Sequence, residues 1–299
     1  MLKSIKLSFR FTLIGVVIAS ILLFIIFYLP NTKFTDNSKS IFVPTGTSFA
    51  TLKKILEPHL RSTITFSFAA KAKRFDTPRA GHFELKPSMG NQQIINTLRS
   101  GNTPIQVVFN NQQTIAHLAG RVAEQLELDS LSLIKEIESS HFMESLNLNR
   151  DELLSLFLPN SYEMYWNISA SEFCQRMKRE NDLFWNESRE SKRKKLKMSR
   201  AEVITLASIV NEESRKEDER PRVAGVYINR LRRGMKLQAD PTVVYSMKRQ
   251  SNDFEMVVRR VLYKDLGIKS PYNTYKYSGL PPGPITMPDI SSVDAVLNA

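Results

Sequence analysis

Hydrophobic and polar positions divide the chain into stretches of different period. Phe11 to Leu29 is a run of nineteen residues without a charge, which at 1.5 Å rise per residue approaches the roughly 30 Å of a bilayer core. The run predicts a transmembrane helix at 11–29. Lys3, Lys6 and Arg10 precede it with no acidic residue among them, so residues 1–10 are expected as a cytoplasmic tail and everything after Pro30 as an extracytoplasmic, periplasmic body held by a single pass of the plasma membrane. A cleaved signal peptide would have a shorter apolar run of about 7–15 residues ending in small residues, whereas this one ends in Tyr28-Leu29-Pro30.

Beyond the run the periods are those of a folded body. SIFVPTGTSFATLKKIL, Ser40 to Leu56, reads as a strand, a Pro/Gly turn and a helix with Phe49, Leu52 and Ile55 or Leu56 on one stripe. AGHFELKPSMGNQQIINTLRSG, Ala80 to Gly101, repeats that order and stops at Gly101. Together they predict one small α+β module over residues 40–104. A short strand follows at Ile105–Val108, then helices at about 114–127 and 130–139. The aromatic-rich stretch Leu156–Trp166 is expected to be extended or looped, and residues 169–197 to be helical.

Ser199-Arg200-Ala201-Glu202 matches a capping box, so a helix starts there. At 3.6 residues per turn Val203, Leu206, Ala207 and Val210 share a stripe whose next position is Glu213, whereas Glu212 continues the Thr205 and Ser208 side, read as the polar one. A carboxyl group where the apolar stripe meets the domain would be partly desolvated and suited to general acid work. The same position also suits a boundary residue, or a partner for Arg220 or Arg230. A second amphipathic helix, Glu219 to Leu237, is stopped by Gly234. Two loops then follow, LQADPTVVY and SPYNTYKYSGLPPGPI. Their polar residues Gln238, Asp240, Thr242, Asn273, Thr274 and Tyr275, with rings at Tyr245, Tyr272, Tyr275 and Tyr277, suit a groove that grips sugar hydroxyls and stacks on pyranose faces. Structural turns account for the same residues equally well, and Asp240-Pro241-Thr242 starts a helix on either reading.

Composition narrows the partners. With 299 residues, 42% apolar and 24% charged, the chain is long enough for two domains. The net charge of +12 calls for an anionic partner outside the cytoplasm: lipid headgroups or the acidic stems of a cell-wall polymer, and no nucleic acid. Part of the excess lies in Ser191–Lys197, a solvated helix end or linker. The lone Cys174 has no internal disulfide partner and reads as a small buried or half-buried residue. No His/Cys cluster with metal spacing, phosphate-binding glycine loop or Ser/His/Asp set stands out, so neither metal nor cofactor is expected.

ASIVNEESRKEDERPRVAGVYINRLRRGMKLQADPTVVY and SPYNTYKYSGLPPGPI resemble the signature stretches of the YceG-like family, membrane-anchored endolytic murein transglycosylases that cut peptidoglycan glycan strands. The likeness is carried by residues 153–299, with the two strand-turn-helix units resembling the family's LysM-like module. It implies an α+β fold class: one transmembrane helix, a LysM-like α+β module at 40–104 and a mixed α/β catalytic domain at 105–299. It also implies a lyase that acts on the bond between N-acetylmuramic acid and N-acetylglucosamine in nascent strands and leaves 1,6-anhydromuramyl ends. Penicillin-binding proteins are implied as partners. The second glutamate of the family's A-S-I-[VI]-E-K-E-type motif, its catalytic acid, falls on Glu213, and the first falls on Asn211. Gln238, Asp240, Thr242, Tyr245, Asn273 and Tyr275 are the implied substrate contacts. The family's E-G-[YW]-[LF]-[FW]-P-D-T-[YW] stretch is here Leu154 to Tyr162, without its glutamate and aspartate, which leaves Asp240 as the candidate second carboxylate. The chain ends at Leu297-Asn298-Ala299, short of the family's usual extent, so the C-terminal part is expected to be abbreviated. A muramidase-type hydrolase and a non-catalytic glycan-binding scaffold are the alternatives.

Overall fold

The computed structural model describes residues 2–299, with side chains from residue 12 onward. The chain forms two units, one of residues 1–106 with 163–167 and the other of residues 107–162 with 168–299.

In the first unit helix α1 (Leu2–Tyr28) leads to β1 (Lys39–Val43), α2 (Phe49–Leu56), α3 (Thr63–Ala72), β2 (Gly81–Leu85) and α4 (Asn91–Ser100). β1 and β2 pair antiparallel, with Ile41 opposite Phe83 and Val43 opposite Gly81. Their inward side chains meet Leu52, Phe66 and Ile94 in one core. Gly81 sits at φ +143°, where a Cβ would run into the Asn102 side chain. That side chain accepts the His82 N–H at 3.0 Å, so the strand start is tied down by the space a glycine leaves. The first unit contains a helix not anticipated from the residues, α3, whose start is capped by Ser62.

The expected membrane span is overturned. Among the described residues no helix is long and apolar enough to cross a membrane. The end of α1 is given over to protein: Ile26 and Phe27 pack on the first unit's core. Asn91 donates to the Ile26 carbonyl at 2.7 Å, and Asn31 bridges Asn91 and the Ser62 carbonyl. The expected cytoplasmic tail, residues 1–10, lies outside the residues whose side chains are described.

β3 (Ile105–Phe109) and β4 (Asn160–Met164) pair in a two-stranded ladder. The second unit continues with α5 (Ile115–Ala123), α6 (Ser130–Ile137), α7 (Ser140–Leu146), α8 (Ala170–Phe184), α9 (Glu187–Leu196), α10 (Arg200–Glu213), α11 (Arg220–Arg232), α12 (Asp240–Ser251) and α13 (Ile290–Leu297). The single helical stretch expected at 169–197 is two helices, because Asn186 caps a new start by accepting the Arg189 N–H. The expected mixed α/β catalytic domain is also corrected: among the described residues this unit has helices around one short ladder. Residues 254–289 supply no strand, since Pro281, Pro282, Pro284 and Pro288 lack the N–H a ladder needs. What the structure supports is an α+β chain in which, among the described residues, no helix is long and apolar enough to span a membrane.

Helix α10 is the axis of the second core. Val203, Leu206, Ile209 and Val210 pack with Tyr227 of α11 and Val293 and Val296 of α13. Its supposed polar side is buried as well, with Thr205 at 2% exposure and Ser208 at 0%. The Ser208 hydroxyl donates to the Thr205 carbonyl at 2.7 Å and accepts the Ile285 N–H at 3.1 Å, satisfying the polar group inside the protein.

Candidate functional site

The capping box at the start of α10 forms as expected: Glu202 accepts the Ser199 N–H at 2.6 Å, and the Ser199 hydroxyl accepts the Glu202 N–H at 3.1 Å. Buried from Val203 to Val210, the helix then emerges at Asn211, and Glu212 and Glu213 are exposed. The partial desolvation expected at Glu213 is therefore absent. Both carboxylates occupy the last turn, where the helix carries its partial negative charge, an arrangement that costs stability. A last turn kept for stability alone would carry lysine or arginine.

Neighbouring groups hold this end in place. Asn211 accepts the Asp289 N–H and the Ser292 hydroxyl, each at 3.1 Å, tying α10 to the start of α13. Arg220 is buried and does not turn to Glu213. It bonds the Ser214 carbonyl at 3.2 Å, the Ser291 hydroxyl at 2.6 Å and Asp289 at 3.0 Å. Arg230 is likewise occupied, donating to the Leu237 carbonyl and, at 3.4 Å, to Gln238 Oε1. Neither arginine is the partner that the residues had left open for Glu213.

Glu213 Oε2 accepts instead from the Tyr227 hydroxyl at 3.1 Å. Burial first, then the charge and hydrogen bond of Glu213, push the Tyr227 phenol well above its ordinary range, so it remains a donor. The carboxylate opens on a cavity of about 420 Å³, lined also by Glu212, Asp240, Tyr245, Gln113 and the pair Arg259 and Arg260. In the same lining, Asp240 Oδ1 accepts from the Tyr275 hydroxyl at 2.6 Å. That hydrogen bond, then burial and the charges of Asp240 and Glu213, push the Tyr275 phenol up to about 12, with Arg230 opposing. Tyr245 and Gln113 also line a second cavity of about 590 Å³.

The remaining expected contacts divide by depth. Gln238 is exposed, and its backbone, at φ +55°, donates to the Thr274 carbonyl at 3.1 Å. Tyr245 is half-buried, with its ring 4.7 Å from that of Tyr272. Thr242 and Asn273 lie beneath the surface with their polar atoms committed to the protein. Thr242 Oγ1 meets Thr274 Oγ1 at 2.8 Å and donates to the Ala239 carbonyl. Asn273 donates to the Leu266 and Ile268 carbonyls and accepts the Tyr275 N–H. These two residues shape the loops that present Asp240 and Tyr275. Tyr272 is buried too, leaving Tyr277 as an exposed ring of the second loop.

Sequence reasoning passed over Tyr227 as the partner of Glu213, although its place three residues before Arg230 on the same helix was a usable signal. It also missed Arg259 and Arg260, which stand in a stretch without helical or strand period. Among the described residues no group of three or more His, Cys, Asp or Glu stands together to hold a metal.

The comparisons with known proteins fall on this same stretch of chain. The profile of the YceG-like family matches residues 41–299. The chain belongs to that family. A Bacillus subtilis protein named endolytic murein transglycosylase is 30% identical over 288 residues, an alignment that takes in 90% of this chain and 78% of the relative. A Streptococcus pneumoniae protein of the same name is 26% identical over 300 residues, covering 88% of this chain and 53% of its own. The chain thus spans about half the length of the pneumococcal relative. The crystal structure of a YceG-like family protein from Listeria monocytogenes superposes with a TM-score of 0.57 at 30% identity, covering 87% of this chain and 90% of that one.

Proposed function

We propose that this chain is an endolytic murein transglycosylase acting outside the cytoplasm, with Glu213 as its acid and base. The observation that carries the reading is the placement of Glu213. It stands at the exposed end of a buried helix, held by the Tyr227 hydroxyl, and opens on a cavity also lined by Asp240, which is bonded to Tyr275. The names of the relatives in Bacillus subtilis and Streptococcus pneumoniae supply the reaction class.

The protonated Glu213 gives its proton to the glycosidic oxygen between N-acetylmuramic acid and N-acetylglucosamine. The resulting carboxylate takes the proton of the muramyl C-6 hydroxyl as that oxygen closes on the anomeric carbon, leaving a 1,6-anhydro end and consuming no water. Tyr227 stabilises the carboxylate state by donating to it. Asp240, held by Tyr275, and Gln238 take sugar hydroxyls and acetamides, and Tyr245 packs on a ring face. Thr242 and Asn273 act from below, by fixing the two loops. Penicillin-binding proteins as partners belong to the same reading.

A second reading has one observation in its favour: Asp240 lines the same cavity as Glu213, and a two-carboxylate hydrolase needs a second acid. Uncrosslinked glycan strands incubated in ¹⁸O-labelled water with wild type and Glu213→Gln decide between them. Anhydro ends from the wild type alone support the transglycosylase. Reducing ends carrying the label would replace it by the hydrolase.

A further inference from the structure

The cavity at the end of α10 is lined by charges of both signs. Glu212 and Glu213 line it from α10 and Asp240 from α12, whereas Arg259 and Arg260 line it from residues 256–261, which have no regular secondary structure. Both arginines are exposed, and among the described residues neither has an ion-pair or hydrogen-bond partner. The arginines of the adjoining cavity differ: Arg249 pairs with Asp151 at 2.9 Å and Arg150 with Glu138 at 2.7 Å. Val258 and Val261 flank the free pair and face the same space. Two guanidinium groups without a protein carboxylate, lining the same cavity as three protein acids, suit an anion that the acids would otherwise repel.

We infer that Arg259 and Arg260 recognise carboxylates of the stem peptide on the glycan sugar bound at Glu213, so that strands bearing peptides are cut in preference to bare ones. The inference rests on the transglycosylase reading and adds to it what the enzyme selects. Sugar rings offer hydroxyls and acetamides, which Asp240 and Tyr275 can take. A stem peptide adds planar carboxylates, which match the guanidinium fork bidentately. The second cavity, which Tyr245 and Gln113 also line, gives the peptide room to lie.

The test compares wild type with Arg259→Gln/Arg260→Gln on three strand preparations: peptide-bearing, amidase-stripped, and peptide-bearing with the stem carboxylates amidated. Stripped strands keep a free lactyl carboxylate on the sugar itself, so they separate a sugar-borne anion from a stem-borne one. Lys194→Gln/Lys195→Gln, on α9 away from the cavity, matches the loss of charge. Wild type and the lysine variant are expected to show a preference in kcat/KM of about three- to ten-fold for peptide-bearing over both other strands. The arginine variant is expected to bring that ratio close to one. An equal wild-type preference, a preference for stripped strands, or a ratio that persists in the arginine variant overturns the inference. If the wild type cuts no strand, the transglycosylase reading fails on its own. Calorimetric binding of a disaccharide-peptide against the bare disaccharide then decides the arginine assignment, through the same three- to ten-fold ratio.

Discussion

Replacing Glu213 by glutamine is expected to abolish strand cutting and to raise the stability of the fold. The last turn of α10 ends in two carboxylates at the negative end of the helix. An exposed charge of the wrong sign at a helix terminus costs about 0.3–1 kcal/mol. Glutamine removes the charge and keeps an oxygen for the Tyr227 hydroxyl, whose hydrogen bond of 3.1 Å is worth about 0.5–1.5 kcal/mol. The net expectation is a gain of about 0.3–1 kcal/mol, or roughly 1–3 °C in Tm for a domain of this size. Glu213→Ala removes the charge but leaves the half-enclosed phenol without its acceptor, so it should fall below the glutamine variant by about 1 kcal/mol. Thermal unfolding by circular dichroism, at low salt where the dipole effect is least screened, reads the stabilities, and mass analysis of digested strands reads the cutting. A loss of more than about 1 kcal/mol in Glu213→Gln would refute the reasoning, because the carboxylate would then be holding the fold. So would a glutamine variant that still cuts.

Three other outcomes follow from the geometry. Tyr275 has its folded pKa raised from 10.0 to about 12, so its hydrogen bond to Asp240 contributes stability that is full below pH 10 and is lost as pH rises through about 12. The stability difference between wild type and Tyr275→Phe, from denaturant melts, should therefore be flat below pH 10 and shrink above it. Cys174 is buried, and burial pushes its thiol up to about 12, so a disulfide reagent should titrate it only after unfolding in denaturant. Arg220→Ala, which takes the guanidinium from the Ser214 carbonyl and from Asp289 and leaves Asp289 only its bond from Asn111, is expected to lower stability by roughly 2–3 kcal/mol in urea melts, with Asp289's partial exposure keeping the loss below that of a fully buried pair.

The elements that were legible in the residues were those set by local rules. The capping box at Ser199, the Pro-Thr start of α12 and the strand-turn-helix order of the first unit depend on neighbours within four residues, and all appear in the structure. What failed depended on distant contacts. Thr205 and Ser208 looked like a solvent face because a helix wheel registers polarity and cannot register the Ile285 N–H that buries Ser208. The apolar run at 11–29 satisfied a length rule, yet Asn31 and Asn91 bind the end of its helix to α3 and α4, a tie visible only once residues sixty apart are folded together. Arg259 and Arg260 carry no periodic signal, since an irregular segment is positioned by what it packs against.

The same division explains how the site is assembled. A carboxylate at a helix C-terminus is held there against local preference, so the remainder of α10 must be fixed strongly enough to bear the cost. It is: the helix is buried from Val203 to Val210, Asn211 grips α13, and Arg220 locks the Ser214 cap to Asp289. In the family motif the residue before the two acids here is a glutamate, and in this chain it is Asn211. An amide at that place accepts the Asp289 N–H and the Ser292 hydroxyl with its oxygen and adds no third negative charge to the helix end. The substitution therefore relieves repulsion at the helix end and ties the turn from which Glu213 projects to the start of α13.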